Sequence, residues 1–474
     1  MDDNQRGDDV DGTDCKAFAS DIGLFPSNKL NYLNSLALSA KNATASKLSR
    51  ATKNIQSFFY PSVAEENASE SVEIAVREDS KSATSVKEKL NNAWLSFKYG
   101  NWRSKGQMTF SERGTLQLLG SSYFLFEGDS GLQEFLLDYY SRIWLTYRTE
   151  LQSLPGTLKT TDCGWGCMIR SCQMLVAETL VQLHLGRNWR FSRQQATGIF
   201  EKHLKYTYAN ILSLFSDDKD ATLGLCNVLK TSLQRLQRPV DSWYSPSEAV
   251  HLFREVLNTC NVEITGGLKL FCVNDGFLIK NELCQISDNF NNPLLLIICI
   301  RFGTTKINMI YRDHILSLLS LKNSVGMIGG RPKHSLYFIG SYDSKVLLLF
   351  HICFLIYLDP HVVHKAVSSD LQPEYWQIFH STNVLRISLD KIDPSCAFGF
   401  LIRNPSDLED LLLDFKKCHV IDDTSVGNST STSMKTLLSF ASQRPALPIY
   451  NMKEFETDST FEIVNFDSSD EDES

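Results

Sequence analysis

The chain has 474 residues, of which 43% are hydrophobic and 22% charged. This composition supplies enough apolar side chains for a large core and excludes a chain that is disordered throughout. The formal net charge of −8 is concentrated at the C-terminal end, because residues 453–474 carry nine acidic side chains and one lysine. The rest of the chain is formally neutral, which argues against nucleic acid as a partner.

Sequence signals for secretion, metal binding and membrane insertion are missing. Met1 is followed by acidic residues rather than by a basic stretch and an apolar run, so we expect a cytoplasmic location. The twelve cysteines include no CxxC pair, and we expect neither a zinc site nor a disulfide framework. The longest apolar run, 346–358, is shorter than the roughly 20 residues of a membrane-spanning helix.

The first 85 residues are rich in Ser, Ala, Asn and Asp and contain few aromatic side chains. This composition predicts a largely disordered leader, 1–85. Within it, residues 27–56 contain five basic side chains, no acidic one, and leucines at 30, 33, 36 and 38. A basic helix that transiently contacts a membrane surface is one interpretation. We favour a transient helix without function.

Aromatic and apolar residues become dense near residue 87 and remain so to about 420. We therefore place one folded domain at 86–420 and a flexible acidic tail at 421–474. Helices are predicted at 131–147, 167–185 and 245–258, and strands at 263–273, 294–300, 335–340 and within 346–358. Because the helices precede most of the strands, we expect an α+β fold with a mostly antiparallel sheet rather than a doubly wound parallel one.

Cys167 follows the turn-forming segment D-C-G-W-G, residues 162–166, and opens a predicted helix. At a helix N-terminus, unpaired N–H groups and the helix dipole stabilise a thiolate, which is the attacking species of cysteine peptidases. The two glycines beside Cys167 would let a substrate backbone approach closely. Taken alone, a buried structural cysteine at a glycine-rich turn is the simpler interpretation.

Asp359, Pro360 and His361 directly follow a predicted strand. Residues two apart in an extended chain project to the same side, so Asp359 and His361 can act together. The imidazole would take the thiol proton while the carboxylate fixes its tautomer and orientation. The D-P-H motif is weak by itself, but no other histidine stands two residues from an acid immediately after a predicted strand.

These two segments resemble the active-site signatures of the autophagins, the cysteine endopeptidases of autophagy, which have a papain-like fold. The resemblance rests on G-W-G-C-M-I-R at 164–170 and Y-L-D-P-H at 357–361. It extends in order to I-W-L-T-Y-R at 143–148, W-Y-S-P at 243–246, the glycine-rich segment 326–333 and D-P-S-C at 393–396. The resemblance covers residues 87–420 approximately. The chain is similar to the longer members of the family, which have an N-terminal extension.

The resemblance implies that Cys167 is the nucleophile, that His361 and Asp359 complete a triad, and that the Tyr147 hydroxyl supports the oxyanion. It implies that Trp243 lies against the substrate's C-terminal tail, with core packing as the alternative. The implied substrates are ubiquitin-like autophagy modifiers, cleaved after their C-terminal glycine either in the pro-form or from phosphatidylethanolamine. This chemistry requires no metal and no organic cofactor.

Two features depart from the family pattern. The connection between Gly340 and Asp359 is longer, and its apolar run, 346–358, would reach roughly 43 Å as one strand, so we expect a bulge or a break there. Cys172 stands where the family usually has glycine, and we favour a packing role over a redox-sensitive one. The insertion leaves open a catalytically silent adaptor that binds modifiers, and the triad chemistry alone leaves open a peptidase that acts on ubiquitin.

The acidic tail contains the segment F-E-I-V, residues 461–464. It resembles modifier-interacting motifs, which add an edge strand to the partner while one aromatic and one aliphatic side chain enter two apolar pockets. We therefore predict Phe461 and Val464 as substrate-binding residues. A chance four-residue pattern in a disordered tail is the alternative.

Overall fold

The structure is a computed structural model, and it describes residues 114–125, 130–191, 199–331, 334–344, 353–370, 373–421 and 436–444. The predicted leader, 1–85, and the tail motif with Phe461 and Val464 lie outside these residues. The described residues belong to one compact unit, apart from residues 362–364, which group separately.

The helices, numbered along the described residues, are α1 (Ser130–Tyr140), α2 (Cys167–His184), α3 (Ile199–Leu214), α4 (Leu225–Thr231), α5 (Pro246–Thr259), α6 (Val262–Thr265), α7 (Lys280–Ile286), α8 (Arg312–Ser320) and α9 (Pro405–Lys417). A π-helical turn, Ser232–Leu236, follows α4, and 3-10 helices occupy Met309–Tyr311, Pro373–Phe379 and Leu389–Lys391.

The strands are β1 (Gly114–Leu118), β2 (Ser121–Leu125), β3 (Tyr147–Thr149), β4 (Lys269–Val273), β5 (Phe277–Ile279), β6 (Leu294–Arg301), β7 (Ser324–Arg331), β8 (His334–Ser344), β9 (Cys353–Leu358), β10 (Val363–Lys365), β11 (Leu385–Ser388), β12 (Ser395–Ile402) and β13 (Ser439–Ala441).

A large sheet runs in the order β11-β9-β8-β7-β12-β6-β4, and β1 joins β8 and β2. Its neighbouring strands are antiparallel except for β4 and β6, which confirms the predicted α+β class with a mostly antiparallel sheet. Because the strand directions alternate in this way, the C-terminal ends of β4, β6, β7 and β9 lie at one edge of the sheet, which we call the upper edge.

Helix α2 is the central helix, and residues 167–182 are all buried. It packs on β7 and β8, as expected for a helix that carries apolar residues on all sides. Ser335, at the start of β8, donates to Ser171 Oγ at 3.0 Å. This contact brings the N-terminal part of α2 to the upper edge of the sheet.

Several predicted elements are confirmed. Helix α2 ends at the residue before Leu185, and α5 begins after the Ser245 N-cap, whose side chain forms a capping box with Glu248. Strands β6 and β8 include the predicted ranges 294–300 and 335–340.

Two predicted elements were wrong in part. The helix predicted at 131–147 ends at Tyr140, because the backbone N–H groups of Trp144 and Tyr147 donate instead to Phe379 and Pro360. The strand predicted at 263–273 begins only at Lys269. Residues before it form α6, and two glycines with positive φ, 266 and 267, separate that helix from the strand.

The long apolar run 346–358 contributes one ordinary strand to the described structure. Its last six residues form β9, and residues 345–352 lie outside the described residues. The pairing of β8 with β9 shifts register between Phe338 and Gly340. Strand β9 ends at Leu358, so Asp359 follows at the upper edge.

Residues 436–444, which we call the strap, fall within the segment predicted as tail but pack on the domain. Strand β13 pairs in parallel with β5, and Leu438 is buried. Arg444 forms ion pairs with Asp275 and Glu282 at 2.6 and 2.8 Å. The folded part of the chain therefore extends past residue 420. In the described residues, no helix combines the length and the apolar character needed to cross a membrane.

Candidate active site

Cys167 is the first residue of α2 and directly follows a tight turn. Gly166 is the N-cap, and a side chain at this position would meet Asp162 Oδ2 at 2.7 Å. Gly164 has a φ of +90°, which glycine adopts without strain. Cys167 thus lies at the positive end of an 18-residue helix and is 1% exposed.

Asp359 and His361 follow β9 and are 4% and 6% exposed. His361 Nδ1 lies 2.6 Å from Asp359 Oδ1, and the His361 backbone N–H donates to the same oxygen at 3.0 Å. Because Asp359 engages Nδ1, the Nε2 atom is left for the thiol. The structure therefore brings Cys167, Asp359 and His361 together.

The two reactive side chains influence each other's proton affinity. Burial raises the pKa of the Cys167 thiol, but His361, the Ser335 backbone N–H and the Tyr147 hydroxyl outweigh it and lower that pKa. Burial lowers the pKa of His361, whereas its hydrogen bonds with Asp359 and Cys167 raise it to about 9. These opposite shifts favour a thiolate–imidazolium pair, which combines a nucleophile with a proton donor.

Tyr147 joins this group from β3. Its ring meets the His361 ring edge-on, with centroids 5.4 Å apart and an interplanar angle of 87°. Its hydroxyl hydrogen-bonds to the Cys167 sulfur and lowers the thiol pKa. The hydroxyl is therefore beside the atom that would attack a carbonyl, where it can also donate to an oxyanion.

Trp144 and His334 lie next to Asp359 and His361, and neither is among the predicted site residues. Trp144 Nε1 donates to the Asp359 carbonyl at 2.7 Å, and the His334 ring lies 5.0 Å from the His361 ring. Trp144 is part of the I-W-L-T-Y-R motif, but the helix predicted at 131–147 gave no reason to place it beside Asp359. His334 is three residues after Arg331, and only the closure of the β7–β8 pair brings it to the site.

Four buried charges support the turn before Cys167. Asp162 accepts from the Arg148 backbone N–H at 2.6 Å and from Arg170 Nε at 2.7 Å. Asp217 accepts from Arg148 Nε at 3.0 Å and from an Arg170 terminal nitrogen at 3.4 Å. We call this the ion quartet. Its two positive and two negative charges balance, and it connects Tyr147's strand to α2. Asp217 has no motif around it, so sequence alone gave no signal.

Trp243 lies just before α5 and is 40% exposed, which does not fit full core packing. Its carbonyl accepts from Arg238 at 2.7 Å. Within the described ranges, no group of three or more His, Cys, Asp or Glu side chains is arranged to hold a metal ion.

Comparisons with known proteins identify a matching family and similar sequences. The family model for the peptidase C54 catalytic domain matches residues 132–414. Cysteine protease atg-4.2 of Caenorhabditis elegans is 32% identical over 342 residues, which is 66% of this chain and 64% of that protein. The chain therefore spans slightly less than two thirds of the nematode protein's length. Cysteine protease ATG4D of Xenopus laevis is 31% identical over 68% of this chain and 75% of its own. Cysteine protease ATG4C of Homo sapiens is 29% identical over 68% and 84%.

Proposed function

This chain belongs to the peptidase C54 family, and we propose that it cleaves ubiquitin-like autophagy modifiers after their C-terminal glycine. Both the pro-form of the modifier and its conjugate with phosphatidylethanolamine are substrates in this proposal. The domain has the papain-like α+β fold of a cysteine-type peptidase. The observation that carries the proposal is the buried arrangement of Cys167, His361 and Asp359, with opposite pKa shifts on the thiol and the imidazole.

In the first step, the Cys167 thiolate attacks the carbonyl carbon of the modifier's terminal glycine. The developing oxyanion accepts hydrogen bonds from the Tyr147 hydroxyl and from the Cys167 backbone N–H at the start of α2. An oxyanion donor of this kind contributes on the order of 10²- to 10³-fold to the rate. His361 donates its proton to the leaving nitrogen, and the C–N bond breaks.

In the second step, neutral His361 accepts a proton from water, and the water oxygen attacks the thioester carbon. Collapse of this intermediate breaks the C–S bond and restores the thiolate and the imidazolium, and the released glycine carboxyl group loses its proton to solvent. General base assistance of this kind contributes roughly 10²- to 10⁴-fold. Asp359 keeps the proton on Nδ1 in both steps, so Nε2 always faces the reacting atoms.

The same chemistry serves both substrates because both scissile bonds are amides of the glycine carboxyl group. In the pro-form the leaving nitrogen belongs to the next residue, and in the conjugate it belongs to the ethanolamine headgroup. Trp243, which is 40% exposed, would pack against the substrate tail as it enters the site. No metal or organic cofactor takes part in the proposed steps.

The remaining parts of the proposal concern where the enzyme meets its substrate. We place it in the cytoplasm, with transient contact to the membrane that carries the conjugate and with no nucleic-acid partner. Phe461 and Val464 would dock the modifier from the tail. The flanking acidic residues would direct this docking towards basic surface on the modifier.

Two rival functions remain distinct from this proposal. A catalytically silent adaptor would bind modifiers without cutting them, and a ubiquitin-directed peptidase would use the same triad on another substrate. The opposite pKa shifts of the buried thiol and imidazole favour catalysis over silent binding, because binding alone has no need of them.

Cleavage of purified substrates tests the proposal directly. The full chain should remove residues placed after the terminal glycine of a modifier, and it should release modifier from vesicles that contain the phosphatidylethanolamine conjugate. Cys167→Ser should bind but not cleave, because serine does not form the anion readily. Binding without cleavage by the unmodified chain would support the adaptor, and selective cleavage of ubiquitin fusions would support the second rival.

A further inference from the structure

Two half-buried thiols that the proposed mechanism does not use face each other on neighbouring strands. Cys272 on β4 and Cys299 on β6 have their Sγ atoms 3.6 Å apart. Cys272 pairs with Ile297 in the parallel register, so Cys299, two residues further, projects from the same face of the sheet. Both cysteines are free thiols.

The surroundings give the two sulfur atoms different roles. The hydrogen bond from Cys299 is the largest effect on the pKa of Cys272 and lowers it. The positive charge of Arg254 also lowers this pKa, whereas burial and the negative charge of Asp275 raise it. The same hydrogen bond, together with burial, raises the pKa of Cys299. Cys272 is therefore the thiol that ionises first, and Cys299 keeps its proton. Partly exposed cysteines beside positive charge are the ones that react.

Two neighbouring thiols provide a contrast. Cys172 and Cys396 are close enough to affect Cys299, but both are fully buried and burial raises the pKa of each. Oxidants in solution therefore meet the β4–β6 pair rather than these two core cysteines.

We propose that Cys272 and Cys299 form a dithiol that small hydroperoxides, such as hydrogen peroxide, oxidise to a disulfide. The Cys272 thiolate attacks one peroxide oxygen, the O–O bond breaks, and the departing hydroxide takes a proton to become water. Cys272 is now a sulfenic acid. The Cys299 sulfur attacks it, the S–S bond forms, and the hydroxyl group leaves with the Cys299 proton as a second water. The two thiols together lose two electrons and two protons.

The fold permits this closure. An S–S bond is about 2.05 Å long, so the sulfur atoms have to approach each other by about 1.5 Å from their 3.6 Å separation. Strand β4 is the last strand in the order of the described sheet. Its end near Cys272 can therefore move towards β6 more readily than a central strand can.

The inference is independent of the proposed peptidase activity, and its test has a chemical readout. The full chain with Cys167→Ser, which removes the other activated thiol, is reduced, treated with hydrogen peroxide and digested without reductant. We expect one peptide pair joined through Cys272 and Cys299, lighter than the two reduced peptides by two hydrogen atoms and separated again by dithiothreitol. Absence of this pair, or pairing of either cysteine with a different one, would overturn the proposal.

Single substitutions in the same background test the two roles, with dimedone present to trap sulfenic acid. With Cys299→Ser, the cross-link should be lost and dimedone should label Cys272, because no thiol resolves the sulfenic acid. With Cys272→Ser, Cys299 should remain unlabelled. Cys284→Ser, a half-buried cysteine on α7, is the matched control and should retain the cross-link. Labelling of Cys299 in Cys272→Ser would reverse the roles and contradict the mechanism.

Discussion

The indole of Trp144 donates a hydrogen bond to the carbonyl oxygen of Asp359 at 2.7 Å. Three residues later, the Tyr147 backbone N–H donates to the Pro360 carbonyl at 2.9 Å. One short segment thus holds two consecutive carbonyl groups of the D-P-H motif while it presents the Tyr147 hydroxyl to Cys167. The relative positions of the proposed base and oxyanion donor therefore depend on the same backbone contacts.

Trp144→Phe should lower kcat and leave KM nearly unchanged, because it removes one buried hydrogen bond and keeps most of the ring. The net value of such a bond is about 0.5–1.5 kcal/mol, or roughly two- to twelve-fold in rate. Steady-state cleavage of a modifier precursor measures the effect. Trp189→Phe is the control, since the Trp189 ring packs against the Tyr208 ring, and it should leave kcat unaltered. Equal losses in both variants would mean that general destabilisation explains the result.

The pH dependence of kcat/KM should be bell-shaped. The rate rises with pH as Cys167, whose pKa is lowered, loses its proton. It falls as pH passes about 9, because His361 then loses the proton that the leaving nitrogen needs. Asp359→Asn should move the falling limb to lower pH, since the carboxylate is a main cause of the raised pKa. The exposed Asp313→Asn should not move it, and a falling limb unaffected by Asp359→Asn would refute this assignment.

The site could be predicted from sequence to the extent that its residues stand within short local motifs. Cys167 opens a helix with its own turn, and Asp359 and His361 follow a strand. Trp144 was hidden because the apolar spacing of 131–147 fits a helix, whereas long-range partners on Phe379 and Pro360 hold the segment extended. The spacing of apolar residues within a short segment carries no information about hydrogen bonds to residues more than 200 positions away.

The ion quartet and the strap were missed for a related reason. Asp217 follows α3 without any motif, and its role depends on meeting two arginines from β3 and α2. The strap follows a polar segment in the sequence and contains only a short strand. Composition therefore predicted that it belongs to the flexible tail. Its pairing with β5 is a non-local contact.

His361→Ala should reduce kcat by roughly 10²-fold or more while KM changes little, because the lost interaction acts on the transition state. Single-turnover cleavage of the precursor measures the chemical step. His203→Ala, an exposed histidine on α3, should retain full activity. A normal rate in His361→Ala would move the base to another residue, and His334→Ala would then be the variant to compare.

Arg170→Gln should destabilise the domain by about 3–5 kcal/mol, because Arg148 alone would face two buried carboxylates. Urea unfolding at neutral pH measures the loss. Arg238→Gln removes a partly exposed ion pair with Glu248 and should cost at most about 1 kcal/mol. Similar losses in the two variants would show that the quartet is no more important than a surface pair.

The last prediction concerns residues 445–474, which follow the strap in the sequence. Arg444 is fixed by Asp275 and Glu282 in the turn and helix that follow β4 and β5, and β4 ends at the upper edge of the sheet, as β9 does. Phe461 stands seventeen positions after Arg444, which gives a tether of at most roughly 60 Å. A modifier docked on the tail would therefore remain within reach of Cys167, which raises its effective concentration there.

Phe461→Ala with Val464→Ala should weaken modifier binding and lower kcat/KM at low substrate, while kcat at saturation stays the same. The two side chains lie three residues apart and would enter separate apolar pockets of the partner, so both must be removed. Calorimetry at moderate salt measures the affinity, and precursor cleavage measures the rate. The control changes Ile463, a spacer residue of the motif, and Phe466, which follows the motif, to alanine; it deletes comparable apolar surface without removing the two docking side chains and should have little effect. If the two double variants bind every modifier equally well, the segment 461–464 is not a docking motif.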